Sequence, residues 1–126
     1  MKLGGKIGNG SRRDVYHHPD DPGLVVKVCK FEGKYNEWEK KVWDYTKKQG
    51  FEHLLVPVIS VSDDYKYLVM LKGVPVVKDE DVISQNDLPW FLRKDTLLPK
   101  NFVKISGVVK ICDYDDCYQL IFLDEK

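Results

Sequence analysis

One segment of this sequence has a different hydrophobic period from the chain on either side of it. From residue 33 to about residue 49, apolar side chains recur every three or four positions, at Tyr35, Trp38, Val42 and Tyr45, and Gly50 follows. This spacing predicts one amphipathic helix closed by a glycine. Because strand-like runs lie on both sides of it, the sequence predicts an α+β fold in which the helix packs against a sheet.

Three strands are predicted before the helix. Residues 3–29 are strand-like but are interrupted at 8–11 (GNGS) and 18–23 (HPDDPG), which are rich in turn-forming residues. The third run, 24–29 (LVVKVC), is apolar except for Lys27. Strands buried on both faces seldom contain a lysine, so Lys27 needs an explanation. A lysine that protects an edge strand from aggregation is one alternative.

The chain after the helix predicts a hairpin and a second, smaller sheet. Residues 54–61 and 65–71 flank a short polar turn, which brings the first sheet to five strands. Residues 78–98 predict only short helical turns. Residues 102–105, 108–112 and 118–123 predict the strands of the small sheet. With 126 residues and no linker, the chain is expected to form one domain.

Composition argues against several classes of partner. Twenty basic and twenty acidic residues cancel, so the positive field that draws proteins to nucleic acid or anionic membranes is missing. No stretch approaches the roughly 20 apolar residues of a membrane span, and the start lacks a leader pattern. The three cysteines show no C-x-x-C spacing and fit reduced thiols. We therefore expect a cytoplasmic protein.

The phase of the helix gives Glu39 a particular position. At about 100° per residue, Glu39 falls between Val42 and Trp43 at the edge of the apolar stripe, whereas Glu37 points the opposite way. Glu39 is therefore predicted to face the sheet. The alternative is that Glu39 is a solvated residue on the flank of the helix.

Two segments around Lys27 resemble the nucleotide-binding region of protein kinases. Residues 7–16 (IGNGSRRDVY) are similar to the kinase glycine-rich loop, and Lys27 lies in a VVKV strand like that of the nucleotide-binding lysine. The resemblance implies that Gly8, Gly10 and Val15 surround a nucleotide. It also implies that Lys27 holds its phosphates and pairs with Glu39.

The glycine-rich segment differs from the kinase loop at one position, and its glycines have an alternative explanation. Arg13 occupies the position of the third glycine of the kinase loop. A hairpin turn that needs positive φ at its glycines would explain Gly8 and Gly10 without any ligand.

The resemblance continues near the end of the chain. Residues 98–105 (LPKNFVKI) and 107–115 (GVVKICDYD) are similar to the end of the kinase catalytic loop and the metal-binding segment. The resemblance implies that Asn101 and Asp113 are magnesium ligands and that ATP with Mg²⁺ is the cofactor. An Asx turn and a hairpin tip are the alternative explanation of these two residues.

The catalytic part of the kinase pattern is incomplete. Counting back five residues from Asn101 reaches Thr96, which cannot act as the base, and Asp95 lies one residue earlier. Only thirty residues separate Met70 from Asn101, and eleven follow Asp115, so we expect no platform for a protein substrate. Nearby carboxylates at 113, 115 and 116 would repel one another unless a cation or basic group lay among them.

Residues 17–22 (HHPDDP) and the following strand resemble short bacterial kinase-like proteins of the PhoP regulatory network and related phage proteins. This implies a kinase N-lobe-like, five-stranded antiparallel part (1–74) and a reduced second lobe (75–126). Zinc binding by the two histidines is an alternative, but no third ligand follows at a zinc-site spacing.

These observations favour a kinase-like binding module without phosphoryl transfer. We expect it to dock on a protein partner, as a phage or mobile-element inhibitor of a host factor would, with nucleotide retained in the cleft. Residues 90–92 (WFL) are the candidate docking segment. The alternatives are a minimal ATP-dependent phosphotransferase, in which Asp95 orients the acceptor hydroxyl, and a structural adaptor without nucleotide.

Overall fold

A computed structural model describes residues 2–93 and 98–123 of the chain. Its regular elements, in chain order, are β1 (Lys6–Asn9), β2 (Arg13–His17), β3 (Leu24–Cys29), α1 (Lys34–Lys48), β4 (Val58–Val61), β5 (Tyr67–Leu71), β6 (Val74–Pro75), β7 (Phe102–Ile105) and β8 (Val108–Ile111). The α+β class predicted from the sequence is confirmed.

The first five strands form one antiparallel sheet in the order β1-β2-β3-β5-β4. The predicted five-stranded sheet is therefore confirmed. β3 is the central strand, and Lys27 pairs with Val15 on one side and Leu68 on the other. The edge-strand explanation of Lys27 is wrong, because both neighbours of its strand are occupied.

The helix α1 begins and ends within two residues of its predicted bounds. Gln49 caps it, and Gly50 follows with φ of +82°, a conformation that glycine adopts without strain. The buried face differs from the predicted apolar stripe: it consists of Asn36, Glu39, Val42, Trp43 and Thr46. The period alone misplaced the centre of this face, because three of its five residues are polar.

Strands β6, β7 and β8 form a second, antiparallel sheet. The predicted turn at Ser106 and Gly107 is present, and both residues have positive φ. Between β6 and residue 93 the chain makes three 3₁₀ turns, at Asp79–Asp81, Gln85–Asp87 and Trp90–Leu92. The described part of this interval contains no α-helix.

The predicted last strand is wrong. Gln119–Leu123 form a short π-helical turn that continues a helical turn after residues 113–116 (DYDD), the acidic segment. Tyr118 stacks on Trp38 with ring centroids 4.8 Å apart, and Phe122 packs edge-on against Tyr45. Aromatic residues four positions apart can thus cover α1 from one helical turn, and this packing outweighs their preference for strands.

One hydrophobic core connects the two sheets. It runs from Val42 and Trp43 of α1 through Leu55 and Met70 to Ile111 of β8. The described part of the chain contains no helix that is both long and apolar enough to cross a membrane.

Candidate functional site

A cleft of about 400 Å³ lies between the β1–β2 loop and the segment that follows β8. Residues 8–13 and Val15 line it on the sheet side, and Lys27 lines it from β3. Lys100, Cys112, Asp113 and Asp115 line the opposite side. The cleft therefore collects residues from both halves of the chain.

Lys27 and Glu39 form a buried ion pair behind this cleft. The Lys27 Nζ lies 2.7 Å from Glu39 Oε1, and the two side chains are 8% and 0% exposed. The same ammonium donates to the carbonyl oxygen of Cys112, 2.5 Å away, which ties β3 to the end of β8. Full burial of Glu39 rules out the alternative of a solvated flank residue.

Arg13 lies at the centre of the acidic groups. Its Nη1 is 2.9 Å from Glu39 Oε1, and its Nη2 is 2.9 Å from Asp113 Oδ1 and 3.2 Å from Asp115 Oδ1. Nη1 also donates to the Asn36 side-chain oxygen at 3.1 Å. Arg13 lies opposite Cys29 in the β2–β3 pairing, two positions from Lys27 along β3. From there its side chain contacts both the helix and the segment after β8.

The ionisation of this cluster follows from burial and mutual charge. Burial disfavours the charged form of Arg13, but the carboxylates of Glu39, Asp115 and Asp113 outweigh it, so its pKa is raised. Burial also opposes the Glu39 carboxylate, yet the charges of Arg13 and Lys27 hold its pKa below the ordinary value. Glu39 and Arg13 are therefore both charged at neutral pH, and Lys27 contacts the same carboxylate.

Asp115 behaves differently from Glu39. Burial raises its pKa to about 7, although Arg13 opposes this shift, and the negative charges of Glu39 and Asp113 add to it. Its Oδ2 is buried and accepts no hydrogen bond. Asp115 is therefore the carboxylate of the cluster that changes charge near neutral pH.

The sequence analysis did not identify Asn36. Its side-chain nitrogen donates to the carbonyl oxygens of Lys27, Tyr65 and Lys66, at distances of 2.9 to 3.1 Å. These bonds hold the start of α1 against β3 and the β4–β5 turn. The detectable signal was its position three residues before Glu39, on the same side of the helix.

The glycine-rich loop is held by a close approach of the backbone. The Gly10 amide donates to the Arg13 carbonyl oxygen at 2.9 Å, and a Cβ at Gly10 would lie 2.8 Å from that oxygen. A Cβ at Gly8 would meet only ordinary contacts. Neither glycine has positive φ, so the alternative of a turn that needs positive φ is wrong.

The structure brings most of the predicted site residues together. Gly8, Gly10, Val15, Lys27 and Asp113 line the cleft, and Glu39 lies directly behind Lys27. Asn101 does not line it; its side-chain oxygen accepts from the Leu98 amide and so caps its own turn. Asp95 lies outside the described residues.

The carboxylates of Glu39, Asp113 and Asp115 offer the donor set that Mg²⁺ prefers, with ligand atoms within 4.8 Å of one another. Arg13, however, donates to all three carboxylates. A permanently charged guanidinium cannot share this space with a divalent cation. The residues present therefore do not fit a metal ion unless Arg13 leaves.

The described side-chain contact of His18 is a turn interaction and does not involve zinc binding. The Nδ1 of His18 accepts from the Asp20 amide at 3.1 Å, which is a turn interaction. Among the described residues, the one group of three possible metal ligands is the acidic cluster around Arg13.

The cleft thus combines a glycine-rich loop, a buried lysine-glutamate pair and an acidic cluster neutralised by arginine. Such a site can bind an anionic ligand through Arg12 and Lys100. Asp115, whose pKa is about 7, is the lining carboxylate best suited to accept a proton. No protein-family model matches the chain, and a search of curated proteins finds no significant match to it.

Proposed function

We propose that the chain is a kinase-like binding module that holds a nucleotide in the cleft and acts through a protein partner without transferring phosphate. Three features support nucleotide binding: the loop at 8–11, Val15 on the cleft wall, and the Lys27–Glu39 pair at 2.7 Å. They correspond in type and order to the groups that hold nucleotide phosphates in protein kinases.

The observation that carries this proposal is the position of Arg13. Phosphoryl transfer in kinases depends on Mg²⁺ to neutralise charge on the transferred group. Here a guanidinium occupies the three carboxylates that would hold such an ion. The arrangement favours retention of a ligand over its chemical conversion.

Nucleotide binding is tested by thermal unfolding. We expect ATP to raise the melting temperature of the wild-type chain, because a ligand that binds only the folded state stabilises it by mass action. The Lys27→Ala variant should lose most of this shift. Equal melting temperatures with and without ATP would instead support the structural adaptor.

Phosphoryl transfer is tested separately with γ-labelled ATP and Mg²⁺. We expect no label on the protein or on a generic acceptor, and no difference between the wild type and Lys27→Ala. The specific observation in favour of the minimal phosphotransferase is the intact Lys27–Glu39 pair. Labelling of the wild type that Lys27→Ala abolishes would establish that alternative and overturn the binding module.

Residues 90–92, the docking segment proposed from the sequence, differ from one another in burial. Phe91 and Leu92 are buried, whereas the Trp90 ring is half exposed and packs edge-on against Phe91. We propose that Trp90 contributes to the contact with a host protein. Trp90→Ala should then weaken capture of that protein, and Phe31→Ala, at an exposed site in another part of the chain, should not.

A further inference from the structure

We infer that the guanidinium of Arg13 is the resident cation of the acidic cluster, so that the cleft receives a phosphate-bearing ligand without a divalent metal ion. The statement about the ligand rests on the proposed function. The statement about Arg13 stands on the geometry of the cluster alone.

The first argument is the completeness of the contacts. Through Nη1 and Nη2, Arg13 donates to one oxygen each of Glu39, Asp113 and Asp115 within 3.2 Å. Its side chain is only 8% exposed. A guanidinium presents five donors in one plane and suits several carboxylates at once, whereas an ammonium acts as a point charge.

The second argument is the balance of charge. Arg13 and Lys27 are two basic side chains within ion-pair distance of the cluster, and Glu39 and Asp113 can supply two negative charges. Asp115, 3.2 Å from Arg13, can add at most one more. A divalent ion would add two positive charges beside Arg13 and Lys27, and repulsion at such distances in a buried site is strong.

The third argument concerns the ligand side of the cleft. Arg12 lies at its rim, 41% exposed, and Lys100 lines the wall across from it. In a metal-dependent site, phosphate oxygens are bridged to carboxylates by the metal. Because Arg13 already binds the carboxylates, the phosphates bind basic side chains directly through charge-assisted hydrogen bonds.

The Arg13 statement is tested by titrating the protein with Mn²⁺ and following free Mn²⁺ by electron paramagnetic resonance. We expect no saturable site in the wild type. Arg13→Ala should gain one site that binds at least about tenfold more tightly than any wild-type binding. Arg12→Ala is the matched control, since Arg12 contacts Asp115 and Asp116 from the rim, and it should behave as the wild type.

Two results would overturn the statement. One is saturable Mn²⁺ binding to the wild type that Asp113→Asn abolishes. The other is a folded Arg13→Ala variant with no gain. If Arg13→Ala does not fold, Arg13→Gln removes the positive charge, keeps a neutral side chain that can donate hydrogen bonds in its place, and leaves Glu39, Asp113 and Asp115 as ligands. Failure of this variant to bind Mn²⁺ would equally reject the inference.

The ligand statement is tested by comparing ATP with EDTA and ATP with excess Mg²⁺ in thermal unfolding. We expect equal shifts of the melting temperature for the wild type. A shift that requires Mg²⁺ would reject metal independence but leave nucleotide binding intact. No shift under either condition would reject nucleotide binding, and with it the ligand statement, whereas the Mn²⁺ titration would still decide the role of Arg13.

Discussion

At the scale of single residues, Asn36 shows how a buried polar side chain determines local structure. Its amide donates three hydrogen bonds to backbone carbonyls and accepts one from Arg13. Buried carbonyl groups that lose their donors are costly, because no water replaces the lost bonds. The position of α1 and the orientation of Arg13 therefore both depend on this residue.

Replacing Asn36 with alanine should lower the free energy of unfolding by about 2–4 kcal/mol, since several buried bonds are lost together. Asn9→Ala is the matched control, because Asn9 accepts one exposed hydrogen bond from Lys30, and it should change stability by less than about 0.5 kcal/mol. Urea unfolding measures both. Equal stabilities of the two variants would contradict the role assigned to Asn36.

Asp115 should make stability depend on pH. Its pKa is about 7 in the folded state and lower in the unfolded state, so the folded state binds more protons between these values. This contribution is fully present at acidic pH and is lost as pH rises to 7. Asp115→Asn should therefore gain stability relative to the wild type, by on the order of a few kcal/mol, between pH 5 and pH 8.

Urea unfolding of Asp115→Asn and the wild type at several pH values measures this difference. Glu39 has the opposite sign, because its lowered pKa stabilises the folded state above the acidic range. The acid limb of the profile should therefore remain in Asp115→Asn. A stability difference that does not change with pH would show that Asp115 is ionised throughout.

The sequence indicated which residues form the site better than it indicated which of them contact one another. Helical phase placed Glu39 toward the sheet, and the charge in an apolar run drew attention to Lys27; the structure pairs them. The partner of the carboxylates was expected to be a cation or a basic group, but Arg13 was not identified as that group. Its position in the loop pattern suggested a departure, and only the fold shows that its side chain points inward.

At the scale of elements, the β1–β2 loop depends on the close approach at Gly10. A Cβ at this position would lie 2.8 Å from the Arg13 carbonyl oxygen, which belongs to the backbone of β2 and cannot move away easily. Gly8 has ordinary clearance. The two glycines of the loop therefore have different structural requirements, although the sequence pattern treats them alike.

Gly10→Ala should destabilise the protein by about 1–3 kcal/mol, the usual range for a forced backbone shift. It should also weaken any ATP-dependent shift of the melting temperature, because the loop lines the cleft. Gly8→Ala should leave stability within about 0.5 kcal/mol of the wild type. Thermal unfolding with and without ATP tests both, and equal losses in the two variants would contradict this explanation.

The helix α1 could be predicted because its period is long and unbroken, and the strands of the first sheet because turn-forming residues separate their apolar runs. Strand β6 (Val74–Pro75) was not predicted, because two residues carry no period. The last predicted strand failed because 118–123 is short and rich in apolar residues, and such a segment fits a strand or a helical turn equally well. Contact with Trp38 and Tyr45, far away in sequence, decides between them. The order of the five strands was likewise not determined by local pattern.

At the scale of the whole molecule, the two sheets are connected by backbone and side-chain bonds as well as by the core. The Val56 amide donates to the Ile111 carbonyl at 2.9 Å, and the Tyr114 hydroxyl donates to the Val56 carbonyl at 2.8 Å. Burial raises the pKa of Tyr114, so the hydroxyl keeps its proton and remains a donor. These bonds connect the chain before β4 to the end of β8 and to the acidic segment that follows it.

Tyr114→Phe should therefore lower the stability of both sheets together, by about 1–2 kcal/mol, because it leaves the Val56 carbonyl without this donor. Hydrogen exchange in increasing urea measures the two sheets separately. Amides of β3 and β7 should lose protection at the same urea concentration, in the wild type and in the variant. Loss of protection in β6–β8 alone would show two independent folding units.

One residue links the shape of the loop to the charge of the cluster. The carbonyl oxygen of Arg13 accepts a hydrogen bond from the Gly10 amide, and its guanidinium donates to the three acids. Without the arginine, the acids would be left without their counter-charge, and without the acids, so would the arginine. The four positions should therefore show strong epistasis. A library randomised at these four positions and at Lys27, which pairs with Glu39, and selected for folding should return the charged set intact or an all-neutral replacement, with few intermediates between them.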